Sequence, residues 1–213
     1  MKSISKAAKE VIGTCRRLAE LGMASANGGN VSARLTEDRI LVTATGVCLR
    51  EVSGDDLVTV SAEGDKLQGR GEASMEAMSH LCLYKQRPDV NGVIHCHPPS
   101  AVAWALARQL PPLEAFCEGY FLVGEVKLIA PYQTPTDLPG VLEKESGNAN
   151  GFLLSNHGLV MSGPDLRMAL LRVETYELLC RAALEAITIG GAKSIEPSGL
   201  AWLAELHKKA FLD

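Results

Sequence analysis

Two of the five histidines stand one residue apart, in His95-Cys96-His97. The segment Val90 to His97 reads as a strand, and strand side chains alternate, so both imidazoles project to one face and Cys96 to the other. Two imidazoles on one face can converge on a single divalent ion. Zinc takes imidazole nitrogens at about 2.0–2.1 Å, and a catalytic zinc site has three protein ligands plus an open position for water or substrate. The best third ligand is His157, in Ser155-Asn156-His157-Gly158-Leu159, where a tight turn between two strands would hold an imidazole at a sheet edge. His80, in a helix beside Cys82 and Tyr84, and His207, in a Lys-rich terminal helix, have weaker settings; a lone histidine is ordinarily a hydrogen-bonded core or surface residue.

Glu76 stands at the start of a helix, after Gly69-Arg70-Gly71-Glu72-Ala73-Ser74-Met75. The helix dipole alone accounts for a carboxylate there. The same position suits a general acid/base, moving a proton on a substrate whose neighbouring oxygens a metal ion polarises. Glu72 is the local competitor. Asn27-Gly28-Gly29-Asn30 follows a helix and precedes a strand, and glycines at such a turn let successive backbone N–H groups line a concave anion site. Thr43-Ala44-Thr45-Gly46 offers a similar set, and Ser74 adds a hydroxyl at a helix N-terminus. Singly, each is ordinary turn chemistry. No G-x-x-x-x-G-K-[ST] loop is present and no G-x-G-x-x-G follows a strand, so a nucleotide cofactor is not indicated.

These residues need a scaffold of alternating strands and helices. Ser5 to Leu21 carries Ala8, Val11, Ile12, Cys15, Leu18 and Ala19 at the spacing of one helical face, and Gly22 stops it. Short strands are predicted at Val31 to Leu35, Ile40 to Thr43 and Leu57 to Val60. A helix runs from Met75 to Arg87 ahead of Pro88, the strand Val90 to His97 follows, and Pro99 to Gln109 is a helix opened by proline. Glu125 to Ile129, Gly151 to Leu154 and Leu159 to Ser162 read as strands, the last two as a hairpin around His157. Asp165 to Ile187 and Leu200 to Phe211 complete the chain as helices. Several hairpins among the helices predict a mixed, largely antiparallel sheet covered by helices.

At 213 residues, with 46% hydrophobic and 22% charged residues, the composition is that of one globular domain spanning 1–213. A formal charge of −4, without a long run of either sign, lacks the footprint of a nucleic-acid binder. The longest apolar stretch, Ala101 to Ala107, falls far short of the roughly 20 residues that span a bilayer. The N-terminus has no apolar signal core, and the six scattered cysteines form no C-x-x-C pair, so a cytoplasmic setting with reduced thiols is expected.

Taken in order, Gly28-Gly29-Asn30-Val31-Ser32-Ala33-Arg34, Thr43-Ala44-Thr45-Gly46, Ser74-Met75-Glu76, His95-Cys96-His97-Pro98 and Asn156-His157-Gly158-Leu159 resemble the class II aldolase/adducin family. Arg87-Pro88-Asp89-Val90 and Ala130-Pro131-Tyr132 are similar to it as well. The resemblance covers roughly residues 5 to 187 and is nearest the L-fuculose-phosphate aldolase branch. It implies an α/β/α sandwich around a largely antiparallel sheet, a zinc ion held by His95, His97 and His157, Glu76 as acid/base, and a cyclic homotetramer. A sugar-phosphate substrate would place its phosphate among Asn27, Gly28, Asn30, Thr45, Gly46 and Ser74.

The activity so implied is metal-dependent cleavage of a small ketose 1-phosphate, such as L-fuculose 1-phosphate, into dihydroxyacetone phosphate and an aldehyde. The same metal chemistry serves relatives that decarboxylate or epimerise hydroxy acids and sugar phosphates. A non-catalytic, adducin-like assembly module is a further alternative. Two departures bear on the choice. The branch has two serines before its glutamate, and here the second is Met75. Its two catalytic tyrosines have no counterpart: the mid-chain position falls around Phe116 to Cys117, with Glu118 and Tyr120 nearby, and the tail Ala201 to Asp213 contains no tyrosine.

Overall fold

The computed structural model describes residues 4–211. Eight strands form one sheet: β1 (Asn30–Thr36), β2 (Arg39–Thr43), β3 (Leu57–Ser61), β4 (Lys66–Gln68), β5 (Gly92–Cys96), β6 (Val126–Ile129), β7 (Gly151–Leu154) and β8 (Leu159–Gly163). Their spatial order is β4-β3-β2-β1-β5-β8-β7-β6, and only the β6/β7 pair is parallel. Six α-helices accompany them: α1 (Ile4–Glu20), α2 (Ala77–Gln86), α3 (Pro99–Ala107), α4 (Leu138–Glu145), α5 (Leu166–Ile187) and α6 (Pro197–Phe211).

The period-2 alternation of the strands divides the apolar side chains between two cores. On one face Val31, Ala33, Ile94, Cys96, Leu159 and Met161 pack with Val11, Cys15 and Leu18 of α1, with α3, and with Val173, Tyr176 and Cys180 of α5. On the other, Ile40, Val42, Val58, Val93, Phe152 and Val160 pack with Leu81 and Tyr84 of α2 and Leu142 of α4. Both sheet faces are therefore covered, which gives the expected three layers. Among the described residues no helix is long and apolar enough to cross a membrane.

Three elements differ from the sequence reading. Strand β4 carries Lys66, Leu67 and Gln68, all exposed, so no alternation marks it; it is held by pairing to β3. Helix α4, in a stretch where the sequence predicts no element, buries Leu138 and Leu142 behind an opening that contains Pro139 and Gly140. A π-helical turn spans Gly119–Val123. The remaining differences are at boundaries. Strand β5 stops at Cys96 because the His97 amide leaves the ladder and donates to the Met23 carbonyl at 2.8 Å. Helix α2 begins at Ala77, with Glu76 in its cap position.

Candidate metal centre and active site

His95 lies opposite Asn30 in the β1/β5 register and opposite Val160 in β5/β8, in the middle of the sheet. Its Nδ1 donates to the Leu159 carbonyl at 3.1 Å, which fixes the tautomer and leaves the Nε2 lone pair facing the site. Nε2 is buried and has no hydrogen-bond partner. Burial, reinforced by His97 and His157, holds this imidazole well below its ordinary pKa, so it is neutral. Burial and His157 depress His97 as well.

The His97 ring lies between two glycines. A Cβ on Gly158 would come within 2.6 Å of His97 Cδ2 and 2.7 Å of the Cys96 carbonyl, and one on Gly28 within 3.0 Å of His97 Nδ1. Both loops approach the ring because neither carries a side chain. His157 is presented by the β7/β8 turn, whose Asn156 adopts φ 59°. That turn ends two interior strands rather than an edge strand, a correction to the sequence reading. The end of α3 braces it: the Arg108 guanidinium donates to Asn156 Oδ1 at 3.2 Å, and the Asn156 amide donates to the Ala105 carbonyl. The Tyr132 ring stands 6.3 Å from the His157 ring.

The ring centroids of His95, His97 and His157 are 4.7, 4.7 and 5.2 Å apart, and their donor atoms all lie within 4.8 Å of one another. Glu76 closes the group. Its Oε2 is 3.3 Å from His95 Nε2, its Oε1 is 3.5 Å from His157 Nε2, and Asn30 Nδ2 donates to Oε2 at 2.8 Å. A neutral imidazole lone pair that faces a carboxylate has no attraction to it. The orphaned Nε2 of His95, together with the neighbouring imidazole nitrogens beside a carboxylate, fits a divalent cation.

The anion-loop residues converge on Glu76 from two sides. Asn27 and Gly28 lead into Asn30, which is buried with its amide spent on Glu76. Ala44 bridges Ala73, the Thr45 amide donates to the Glu72 carbonyl and the Ser74 amide to the Thr43 carbonyl, so Thr45 and Gly46 lie beside Ser74. Ser74 Oγ accepts the Glu76 amide at 3.3 Å. Glu72 is instead exposed and ion-paired with Lys66 at 3.1 Å. Met75 is 74% exposed.

The other histidines lie outside this group. His80 is buried with Nδ1 2.7 Å from Ser32 Oγ, and His207 Nδ1 is 2.6 Å from the Phe121 carbonyl. Glu118 and Cys117 are exposed beside the π-helical turn. Sequence reasoning assigned Asn30 to an anion loop and missed its bond to Glu76. The signal lay in the pairing of β1 with the His95 strand, a long-range fact that no local pattern carries.

A three-layer sandwich whose central strands end in a histidine cluster beside a carboxylate defines the class II aldolase type. The chain belongs to that family: the model for the class II aldolase and adducin N-terminal domain matches residues 9–184. It is 36% identical, over 76% of this chain and 79% of the relative, to a 3-oxo-tetronate 4-phosphate decarboxylase of Haemophilus influenzae. It is 29% identical to the L-fuculose phosphate aldolase of Escherichia coli, over 87% of this chain and 86% of that protein. Among solved structures, an L-fuculose 1-phosphate aldolase superposes with a TM-score of 0.87 at 25% identity, covering 97% of this chain and 98% of that one.

Proposed function

We propose that the chain is a divalent-metal-dependent lyase that decarboxylates a 4-phosphorylated 3-oxo acid of the tetronate class. In this reading His95, His97 and His157 hold the metal and Glu76 is the acid/base. A bound divalent ion supplies a Lewis acid beside the substrate's vicinal oxygens, and zinc, cobalt, nickel and iron all suit imidazole donors. The observation that carries the reading is the placement of one carboxylate, Glu76, between His95 and His157 and held by Asn30.

Loss of CO2 needs one proton. The bond between the carboxylate carbon and C2 breaks, CO2 departs without any proton transfer, and the electron pair stays on C2 and C3 as an enediolate. Glu76 then delivers a proton to C2, and the product is dihydroxyacetone phosphate. One fixed carboxylic acid is sufficient for that sequence. Aldol cleavage asks for more, because the hydroxyl that becomes the aldehyde must also lose its proton. The two tyrosines that the aldolase branch uses have no counterpart here, and decarboxylation has no need of them. The 36% identical relative is named for this reaction.

The phosphate is assigned to the loops of Asn27, Gly28, Thr45, Gly46 and Ser74, with Asn30 turned to Glu76. Those loops equally suit a ketose 1-phosphate, so aldol cleavage to the same dihydroxyacetone phosphate enediolate is the second reading. Zinc as the native ion, a cytoplasmic homotetramer and a role in carbohydrate metabolism accompany both readings through the family resemblance.

The test offers the metal-loaded protein 3-oxotetronate 4-phosphate and, separately, L-fuculose 1-phosphate. CO2 and dihydroxyacetone phosphate are measured, with Glu76→Gln as control. We expect CO2 release that requires both metal and Glu76, and a loss of about 10²–10⁴-fold in kcat for the variant, with metal retained. Dihydroxyacetone phosphate from the ketose phosphate alone would replace this reading by the second. Undiminished turnover in Glu76→Gln would remove Glu76 from the mechanism.

A further inference from the structure

A cavity of 890 Å³ opens at the far end of the central strands from the histidine cluster. Gly163 and Pro164 line it. In the β5/β8 ladder Gly163 pairs with Gly92 and Val160 with His95, so the cavity begins three residues, about 10 Å, along the strand from the metal donors. Neither the three histidines nor Glu76 nor the phosphate loops contribute to its wall.

Arg172 of α5 reaches this cavity from within the core, at only 5% exposure. Its Nε donates to the Leu122 carbonyl at 3.0 Å and its Nη1 to the Ser162 carbonyl at 2.7 Å. Its Nη2 has no partner among the described residues. The neighbouring acids do not pair with it: Asp89 is committed to Arg87, whose Nε and Nη2 donate to its two carboxylate oxygens at 2.8 and 2.7 Å, and Glu125 is an exposed residue of the wall. Burial and the nearby Arg87 lower the Arg172 guanidinium to about 10, against the opposing pull of Asp89 and Asp165, so it stays cationic at neutral pH. The Asp89 and Asp165 carboxylates act on this buried cation through space, but the hydrogen bonds of Asp89 go to Arg87 and that of Asp165 to the Met168 amide, so neither hydrogen-bonds to the guanidinium edge at the cavity.

We propose that this cavity is a second small-molecule site, taking a compound whose oxyanion, a carboxylate or a phosphate monoester, seats on the open Nη2 of Arg172. The volume lies within the range of small-ligand sites. Asn148 and Asn150 also line the cavity; Asn150 Nδ2 donates to the Val123 carbonyl at 3.0 Å, which leaves its Oδ1 and the exposed Asn148 amide for the hydroxyls of a polar metabolite.

The experiment titrates inorganic phosphate, and in parallel malonate, into the metal-loaded protein by calorimetry. A class of sites additional to the active-site cradle is expected, at one per chain. Ala204→Glu introduces a carboxylate from the α6 wall of the cavity and leaves the hydrogen bonds of Arg172 intact. It is expected to weaken that class at least tenfold and to spare the other. Arg172→Gln is expected to do the same where it folds. Phosphate binding alone assigns a phosphate monoester, and malonate binding alone a carboxylate. A single class of sites in the parent for both anions, or a second class with unchanged affinity in Ala204→Glu, overturns the proposal.

Discussion

Asn30 and Glu76, 46 residues apart in the chain, are joined by a 2.8 Å hydrogen bond from the Asn30 side-chain amide to Glu76 Oε2. The bond ties the first residue of β1 to the cap position of α2 and fixes the carboxylate against the imidazoles of His95 and His157. A general acid works only when its oxygen is held toward the atom it protonates. Asn30→Ala removes that hold without touching a metal donor. It is expected to lower kcat by about 10- to 100-fold at unchanged metal stoichiometry, as read by steady-state kinetics and elemental analysis. A variant that lost metal and activity together would instead make Asn30 part of the metal pocket.

The His157 side chain is 24% exposed, against 1% for His95, and it is carried by a turn rather than by the His95-Cys96-His97 segment. Removing it leaves two nitrogen donors, too few for a retained ion in a structural or catalytic zinc site. The parent protein is expected to hold one divalent ion per chain after dialysis, and His157→Ala well under half of that. Acidification should release the ion from the parent as well, because protonated imidazole cannot ligate. Equal metal content in parent and variant would sink the three-histidine assignment.

The histidine cluster was legible from sequence because its geometry is local. Alternation along β5 puts His95 and His97 on the same side, and Gly158 beside His157 announces a turn. Glu76 was legible as a helix start, and its competitor Glu72 is removed only by the surface ion pair with Lys66. What stayed hidden depends on pairing between distant segments. The exposed edge strand β4 has no apolar pattern, and α4 is masked by Pro139 and Gly140. The commitment of Asn30 to Glu76 follows from β1 lying beside β5. The cavity at Arg172 joins residues from α2, β6, β8, α5 and α6 neighbourhoods that are up to 120 positions apart (Arg87 to His207).

His80 gives the stability a defined pH dependence. Buried behind the site with Nδ1 on Ser32 Oγ, it is pushed down from 6.5 to about 3 by desolvation. Between those values the unfolded chain holds a proton that the native protein does not. Stability therefore falls as pH falls below about 6.5, by about 1.4 kcal/mol per pH unit for this one group. His95 acts in the same direction in metal-free protein. Urea unfolding of metal-free parent and His80→Phe at pH 6.5 and 5 isolates the His80 contribution. The variant loses the Ser32 bond at every pH, but its further loss between the two pH values is expected to be smaller than the parent's by roughly 2 kcal/mol. Identical pH dependence would show that His80 titrates normally in the native state.

Gly158 is where the backbone itself sets the spacing of the His97 and His157 rings. Its missing side chain lets the β7/β8 turn lie against His97, and any Cβ there meets both the ring carbon at 2.6 Å and the Cys96 carbonyl at 2.7 Å. The ring can rotate away, but the carbonyl belongs to the central strand β5 and cannot. Gly158→Ala must then push the turn outward, carrying His157 with it. The expected cost in stability is about 1–3 kcal/mol, typical of an overpacked position. Metal affinity should fall further than stability implies, because His97 and His157 both move. The informative control is Gly140→Ala in α4, where a Cβ meets nothing within 4 Å. That variant should keep both metal affinity and fold, and parallel behaviour of the two variants would show that the close approach at Gly158 does not govern the site.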